Sequence, residues 1–303
     1  MASGSTPPVG PVGVRKFLIE CSFNFSFHDG VATPRREREP TADTHGVSEL
    51  YNDRLIGMLG IVWGEGWLSP GGPDEVARLV DGVDLAGKSV LDIGSGTGGV
   101  DCLLVEAHGA GHVTGIDVED TVVAAARRHA AARGLSGRID FVKAVPGPLP
   151  FPPDSFDIVF SKDSIVHIPD KHALMGEVFA VLKPGGRFIA SDWLIGHEGA
   201  PSPAMAAYIK AEGLDFGMAS PARYRDAMLK AGFADIVIVN RNRWYRQVAK
   251  AELAAMQGEL YDRAVAGLGK DFVDHNIDIW QRMIVVLDTG EHCPHHLHAR
   301  KPA

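Results

Sequence analysis

From Lys88 onward, short runs rich in β-branched residues alternate with longer stretches of helical spacing. "SVLDIG", "HVTGID", "IDFVKA", "FDIVFS" and "GRFIASDWL" are apolar and bounded by turn residues, as buried strands are. Between them "TVVAAARRHAAARG" and "KHALMGEVFAVLK" place apolar residues every three or four positions, which predicts helices. The alternation predicts βαβ units and a parallel sheet with helices on both faces. Ahead of it, Leu50, Leu55, Met58 and Leu59 carry helical spacing, "WGEGWLSPGGP" reads as a turn, and Val76, Leu79 and Val80 mark a second helix. After residue 196 the pattern predicts a helix over 203–213 and another in "SPARYRDAMLKAG", opened by Ser220 and Pro221 and closed by Gly232. A strand "ADIVIVN" and one long helix over 244–266 follow. There is no internal repeat. Residues 1–40, with "TPRREREPTADT", read as a poorly ordered segment, 41–87 as a helical lid, 88–195 as the core, and 196–303 as cap helices and final strands of the same domain.

Composition narrows the function classes. The 303 residues, 45% hydrophobic and 22% charged, suffice for a sizeable core. No apolar run approaches the roughly 20 residues that span a bilayer, and no cleavable leader is evident. A net charge of -8 without a Lys/Arg block argues against nucleic acid and favours a small metabolite as partner, bound by a monomer or homodimer. Cys21, Cys102 and Cys293 are odd in number and widely spaced, which fits a reducing cytoplasm better than a disulfide framework.

The first motif with chemical content is "VLDIGSGTGG", at the end of the first strand and the start of a helix. Glycines there let backbone approach a ligand, and the helix N-terminus offers unpaired N–H groups. Asp117 follows Gly94 by 23 residues, at the end of the second strand, where a carboxylate accepts both hydroxyls of a ribose. The alternative is a tight strand-to-helix turn with an ordinary surface Asp. No G-x-S-x-G elbow supports hydrolysis. The tail "EHCPHHLHARKP" clusters histidines without a tight zinc spacing, so a final strand is expected there and no metal site.

"VLDIGSGTGG", "GIDVED", "LPFPPDSFDIVFS" and "VLKPGGRFIASD" occur in the order and spacing of the class I S-adenosylmethionine-dependent methyltransferases, which this chain resembles over residues 88–195. The resemblance implies a Rossmann-like α/β fold with a mostly parallel seven-stranded sheet, helical lid and cap, and S-adenosylmethionine as co-substrate. It implies that Asp92, Gly94, Gly96 and Gly98 line the methionine part of the cofactor, that Asp117 holds the ribose and that Val118 packs on the adenine. One departure is "KAVPGPLPF", with Val145 and Pro146 where many members carry an acidic residue toward the adenine.

Within that family "YNDRLIGMLGIVWGEGWLSPGG" and "SKDSIVHIPDK" look like the phosphobase N-methyltransferases, which methylate phosphoethanolamine. The likeness implies that His167, of the DxxxH stretch with Asp163, faces the substrate nitrogen and acts with a lid tyrosine. A histidine satisfied by backbone at a helix start is the plainer alternative. The lid tyrosine would fall near Ala42 or Asp43, and Glu212 stands where the family has a phosphate-binding arginine, beside a retained Tyr208. A carboxylate repels phosphate and welcomes ammonium. The expected acceptor is therefore zwitterionic, its carboxylate met by Arg241, Arg243 or Arg246 and its polarizable centre packed by Trp193, Trp244 and Tyr245. Without the tyrosine an amine lacks its base partner, whereas a thioether needs only positioning. The thioether of methionine is the expected acceptor, giving S-methylmethionine; N-methylation of phosphoethanolamine or another small amine is the alternative. A cofactor-binding protein without catalysis is the reading from another class.

Overall fold

The computed structural model describes residues 51–214 and 216–303. The segment expected to be poorly ordered, 1–40, and the start of the expected lid, with Ala42 and Asp43, lie outside the described residues.

Five strands, β1 (Ser89–Ile93), β2 (His112–Asp117), β3 (Ile139–Lys143), β4 (Phe156–Lys162) and β5 (Leu182–Ile195), alternate with α3 (Gly99–Glu106), α4 (Asp120–Ala132) and α5 (Lys171–Val181). They pair in parallel as β3-β2-β1-β4-β5. β6 (Ala234–Asn240) and β7 (His292–Arg300) complete a seven-stranded sheet, with β7 antiparallel to both β5 and β6. Alternate strand residues face opposite layers. Leu91 and Val159 thus enter one core with α5 and α7 (Pro221–Ala231), while Val90, Ile158 and Phe160 enter the other with α3 and α4. The order reverses between β1 and β4, where a ligand crevice opens beyond the carboxyl ends of an open sheet.

A third apolar cluster forms the cap over that crevice. It joins α1 (Asp53–Trp63), α6 (Pro203–Glu212), α8 (Asn242–Gln257), α9 (Tyr261–Leu268) and α10 (Lys270–Thr289) through Met58, Tyr208, Tyr245, Trp280 and Val286. Asn52 starts α1 by accepting hydrogen bonds from the N–H groups of Arg54 and Leu55, which supplies part of the capping that exposed first-turn donors need.

Two expectations change. The second lid helix, α2 (Gly72–Leu79), is not lid: Val76 and Leu79 are fully buried against α3 in the sheet-face core, because their apolar stripe matches that layer. The long helix over 244–266 is two helices, broken at Gly258, whose backbone leaves the helical region at φ -123° and ψ -108°. The histidine-rich tail is the central antiparallel strand β7, with His292, His295 and His296 buried. His296 bonds Glu75 and His295 bonds the Cys293 carbonyl.

Candidate functional site

The turn from β1 into α3 is built by glycines at φ +75° (Gly94), +55° (Gly96) and +83° (Gly98), a region open to glycine and costly to other residues. Contact explains the first as well. A Cβ on Gly94 would lie 1.7 Å from the Ser164 hydroxyl. The loop borders a cavity of about 430 Å³ that also takes in Asp92, Asp117, Val118, Glu119, the segment 144–150 and the turn 162–169, a size suited to one small cofactor. Asp117 accepts hydrogen bonds from the Gly96 and Glu119 N–H groups, one on each oxygen. Val118, half exposed, and the apolar Val145, Pro146 and Leu149 border the same cavity.

Carboxylates set its field. Asp92 is buried with Oδ1 unpartnered, as is the Ser95 hydroxyl. Burial, reinforced by Asp101 and Asp117, pushes the Asp92 carboxyl well up. Burial raises Asp117 as well. Unpartnered polar atoms beside a glycine cradle, with carboxyl groups whose ionisation a nearby cation would favour, fit a ligand with a polar body and a cationic end. S-adenosylmethionine, with its ammonium, sulfonium and ribose hydroxyls, has those features.

A second cavity of about 100 Å³ adjoins the first, and Tyr51, Leu68, Ser69, Asp163 and His167 border both. Its walls include Trp63 from α1, Trp193 from β5, Tyr208 and Glu212 from α6, Tyr245 from α8 and Trp280 from α10. Glu252 fixes this cage from behind, accepting from the indoles of Trp63 (2.7 Å) and Trp280 (3.2 Å) and from the Tyr245 hydroxyl (3.4 Å). Trp193 stacks on His292 at 4.8 Å and 15°. Desolvation pushes the Glu212 carboxyl up to about 7.

His167 ends a single 3-10 turn, Ile165–His167, after β4. Its Nδ1 lies 2.9 Å from the Leu214 carbonyl. A carbonyl only accepts, so Nδ1 carries a proton and donates it to Leu214. Tyr51 has its hydroxyl pushed up by burial and then by the Glu212, Asp117 and Asp163 carboxylates, so it stays protonated at neutral pH.

The structure thus brings together Asp92, Gly94, Gly96, Asp117, Val118, Asp163 and His167 around the larger cavity, and Trp193, Tyr208, Glu212 and Tyr245 around the smaller one. Other expected residues do something else. Gly98 turns away from the cavity, where its missing Cβ clears Phe141 and Ala126 for helix packing. Asp163, at φ +58°, has both oxygens engaged, by Lys162 and the Ser191 hydroxyl (both 2.7 Å), and braces the turn that carries His167. Arg241 is held bidentately by the buried Glu75 and lies over Trp244, Arg243 is exposed, and Arg246 pairs with Asp288; Trp244 packs against Tyr245 outside the cavity. The expected carboxylate partners are therefore absent from the pocket.

Sequence reasoning missed Tyr51, having looked for the lid tyrosine eight or nine positions earlier. It also missed Lys162 at the end of β4, and Trp63, Asn276 and Trp280, which the cap's folding brings to the crevice, with Glu252 behind them. Trp63 and Glu252 are separated by 189 positions.

Residues 84–212 match the family model described as a methyltransferase domain. The chain is 35% identical over 231 residues to a phosphoethanolamine N-methyltransferase of Triticum aestivum, covering 76% of this chain and 44% of that protein. It is 32% identical to phosphoethanolamine N-methyltransferase 3 of Arabidopsis thaliana, covering 76% and 46%. The chain thus spans less than half the length of these relatives. In shape it is similar to phosphoethanolamine N-methyltransferase 2 of Haemonchus contortus, solved with phosphomonomethylethanolamine and S-adenosylhomocysteine. The TM-score is 0.77 at 24% identity, with 84% of this chain and 59% of that one covered.

Proposed function

The chain carries a class I S-adenosylmethionine-dependent methyltransferase domain, and on that premise we propose that it transfers the methyl group of S-adenosylmethionine to the nitrogen of a small amine. The observation that carries this reading is the placement of Tyr51 and His167 on the wall shared by the two cavities. An amine held there is between the cofactor cavity and the aromatic cage.

Asp117 would hold the ribose and Asp92 the cationic amino-acid end, with the loop at Gly94 and Gly96 against the cofactor backbone and Val118 against the adenine. The bound cofactor supplies an electrophilic methyl on a sulfonium. The chain's own residues handle the proton and the orientation. An ammonium has no lone pair, so it must lose a proton before it attacks. His167, whose ring is oriented by the hydrogen bond from Nδ1 to the Leu214 carbonyl, is the base this reading assigns to that proton. Tyr51, protonated, orients the amine by hydrogen bonding and leaves the proton transfer to His167. The cage of Trp63, Trp193 and Trp280 excludes water and stabilises the cationic product.

Tyr51 removes the reason for preferring sulfur, because the chain does possess a tyrosine at the crevice. S-methylation of methionine stays as the second reading on a different observation. Glu212 and the aromatic walls suit an ammonium-bearing thioether, but among the described residues the pocket offers its carboxylate no arginine. The test is turnover of a metabolite panel with methyl-labelled S-adenosylmethionine and the full chain, read by mass and by the labelled atom. A label on nitrogen of a small amine is expected. A label on the sulfur of methionine alone would replace this reading by the second, and cofactor binding without turnover would favour a non-catalytic protein.

A further inference from the structure

The inner cavity has an unusual balance of charge. Among the described residues that line it, neither Lys nor Arg occurs, while Glu212 and Asp163 supply carboxylates. The two acids differ in what they already do. Asp163 is satisfied by Lys162 and Ser191, and Glu252, behind the wall, is satisfied by Trp63, Trp280 and Tyr245. Glu212 has neither hydrogen-bond nor ion-pair partner among the described residues. It sits in the last turn of α6, four residues after Tyr208, so both side chains project from one face of the helix into the cavity.

A carboxylate at a helix C-terminus is in the unfavourable half of the helix dipole. It shares the cavity wall with Trp193, Tyr208, Phe216 and Trp280, which offer no charge to balance it. Such a group is costly when empty and is compensated by a bound cation. Aromatic faces attract the same ligands.

We propose that Glu212 is the counter-ion of the methyl acceptor's ammonium group, and that the acceptor is a small ammonium compound without a phosphate. This inference rests on the reading of the inner cavity as the acceptor site. A phosphate dianion in a space of about 100 Å³ would face Glu212 with no lining arginine or lysine among the described residues, since the nearby Lys162 ammonium is already engaged by Asp163, Ser69 and the Pro70 carbonyl. Repulsion between unit charges about 4 Å apart is several kcal/mol at the effective dielectric of a protein surface. An amino alcohol, an alkylamine or an amino acid does not meet that barrier.

The experiment uses the full chain saturated with S-adenosylhomocysteine and titrates ethanolamine, N-methylethanolamine, methionine and phosphoethanolamine by calorimetry, in wild type and Glu212→Gln. The expected result is binding of at least one phosphate-free ammonium compound, phosphoethanolamine weaker than ethanolamine, and a loss of about 10- to 100-fold for the bound compound in Glu212→Gln. Unaltered melting and S-adenosylhomocysteine affinity establish that the variant is folded, and Glu212→Asp serves if it is not. Tighter binding of phosphoethanolamine than ethanolamine by the wild type, or equal affinities in wild type and a folded variant, would overturn the proposal. The methylated atom is read separately. Methionine labelled on sulfur, with affinity lost in Glu212→Gln, would sink the N-methylation reading and leave this inference standing; ethanolamine labelled on nitrogen with unchanged affinity in the variant would do the reverse.

Discussion

In the proposed cofactor pose Asp117 has two tasks for one carboxylate. Its oxygens accept the N–H groups of Gly96 and Glu119 at 3.1 Å each, and lone pairs remain for ribose hydroxyls. Asp117→Ala therefore loosens the glycine loop as well as removing the ribose acceptor. A loss of about 1.5 to 3 kcal/mol of cofactor affinity is expected, roughly 10- to 150-fold in Kd, with the fold intact. Calorimetry with S-adenosylmethionine checks it, and an unchanged Kd would refute the ribose assignment. At His167 the expected signature is kinetic. If Nε2 takes the proton of an amine, His167→Ala lowers turnover by roughly 10² to 10⁴, and the wild-type rate rises with pH through a histidine-like titration. For a thioether the loss is smaller and the profile near neutrality flat, because no proton leaves the nucleophile. Wild-type turnover in a folded His167→Ala would return that residue to the plain role of a turn held by the Leu214 carbonyl.

Between elements, Lys162 is the joint that sequence reading overlooked. From the end of β4 its buried ammonium reaches Ser69 Oγ (2.6 Å), the Pro70 carbonyl (2.8 Å) and Asp163 (2.7 Å), tying the loop between α1 and α2 to the floor of the crevice. Lys162→Met leaves Asp163 buried without its cation, which costs about 3 to 5 kcal/mol. Urea unfolding should show that loss, and Lys162→Met/Asp163→Asn should recover part of it; equal stability in Lys162→Met and wild type would contradict the joint. The parallel strands were legible because buried strands alternate with amphipathic helices, a signal confined to each element. Asp92, Gly94 and Asp117 were legible for the same reason, since a βα turn and a strand end are local geometry. The cage was legible only in part: Trp193, Tyr208, Glu212 and Tyr245 were named as candidates, but Tyr51, Trp63 and Trp280 converge on them only when the cap helices pack on one another, and their aromatic character is equally that of core residues. Arg241, prominent in "NRNRWYRQ", was claimed by Glu75, 166 positions away.

Across the whole molecule, a chain with net charge -8 concentrates negative groups beneath its cofactor crevice. Asp101 is fully buried on α3 with both carboxyl oxygens unpartnered, close to Asp92 and Asp117. Burial first, with Asp117 adding, pushes it up to about 8. A carboxyl whose folded value lies above its unfolded one binds a proton in the native state that the unfolded chain has already released, so stability falls as pH rises between the two. Histidines act in the opposite direction but lower down. Burial holds His292 at about 3, so its contribution rises with pH and is complete above its ordinary value of 6.5. Between pH 6.5 and 8 the raised carboxyls govern, Asp101 with Asp92, Asp192 and Glu212, and the cofactor-free protein should lose melting temperature steadily across that window. Asp101→Asn, neutral at every pH, should flatten the decline, and saturating S-adenosylmethionine should flatten it too by placing positive charge near the ionised cluster. Thermal melts at half-unit steps from pH 6.5 to 8, with and without cofactor, measure both effects. A slope as steep in Asp101→Asn as in the wild type would show that Asp101 is ionised in the fold already at pH 6.5, and the acid reservoir assigned to the floor of this crevice would have to lie in another group.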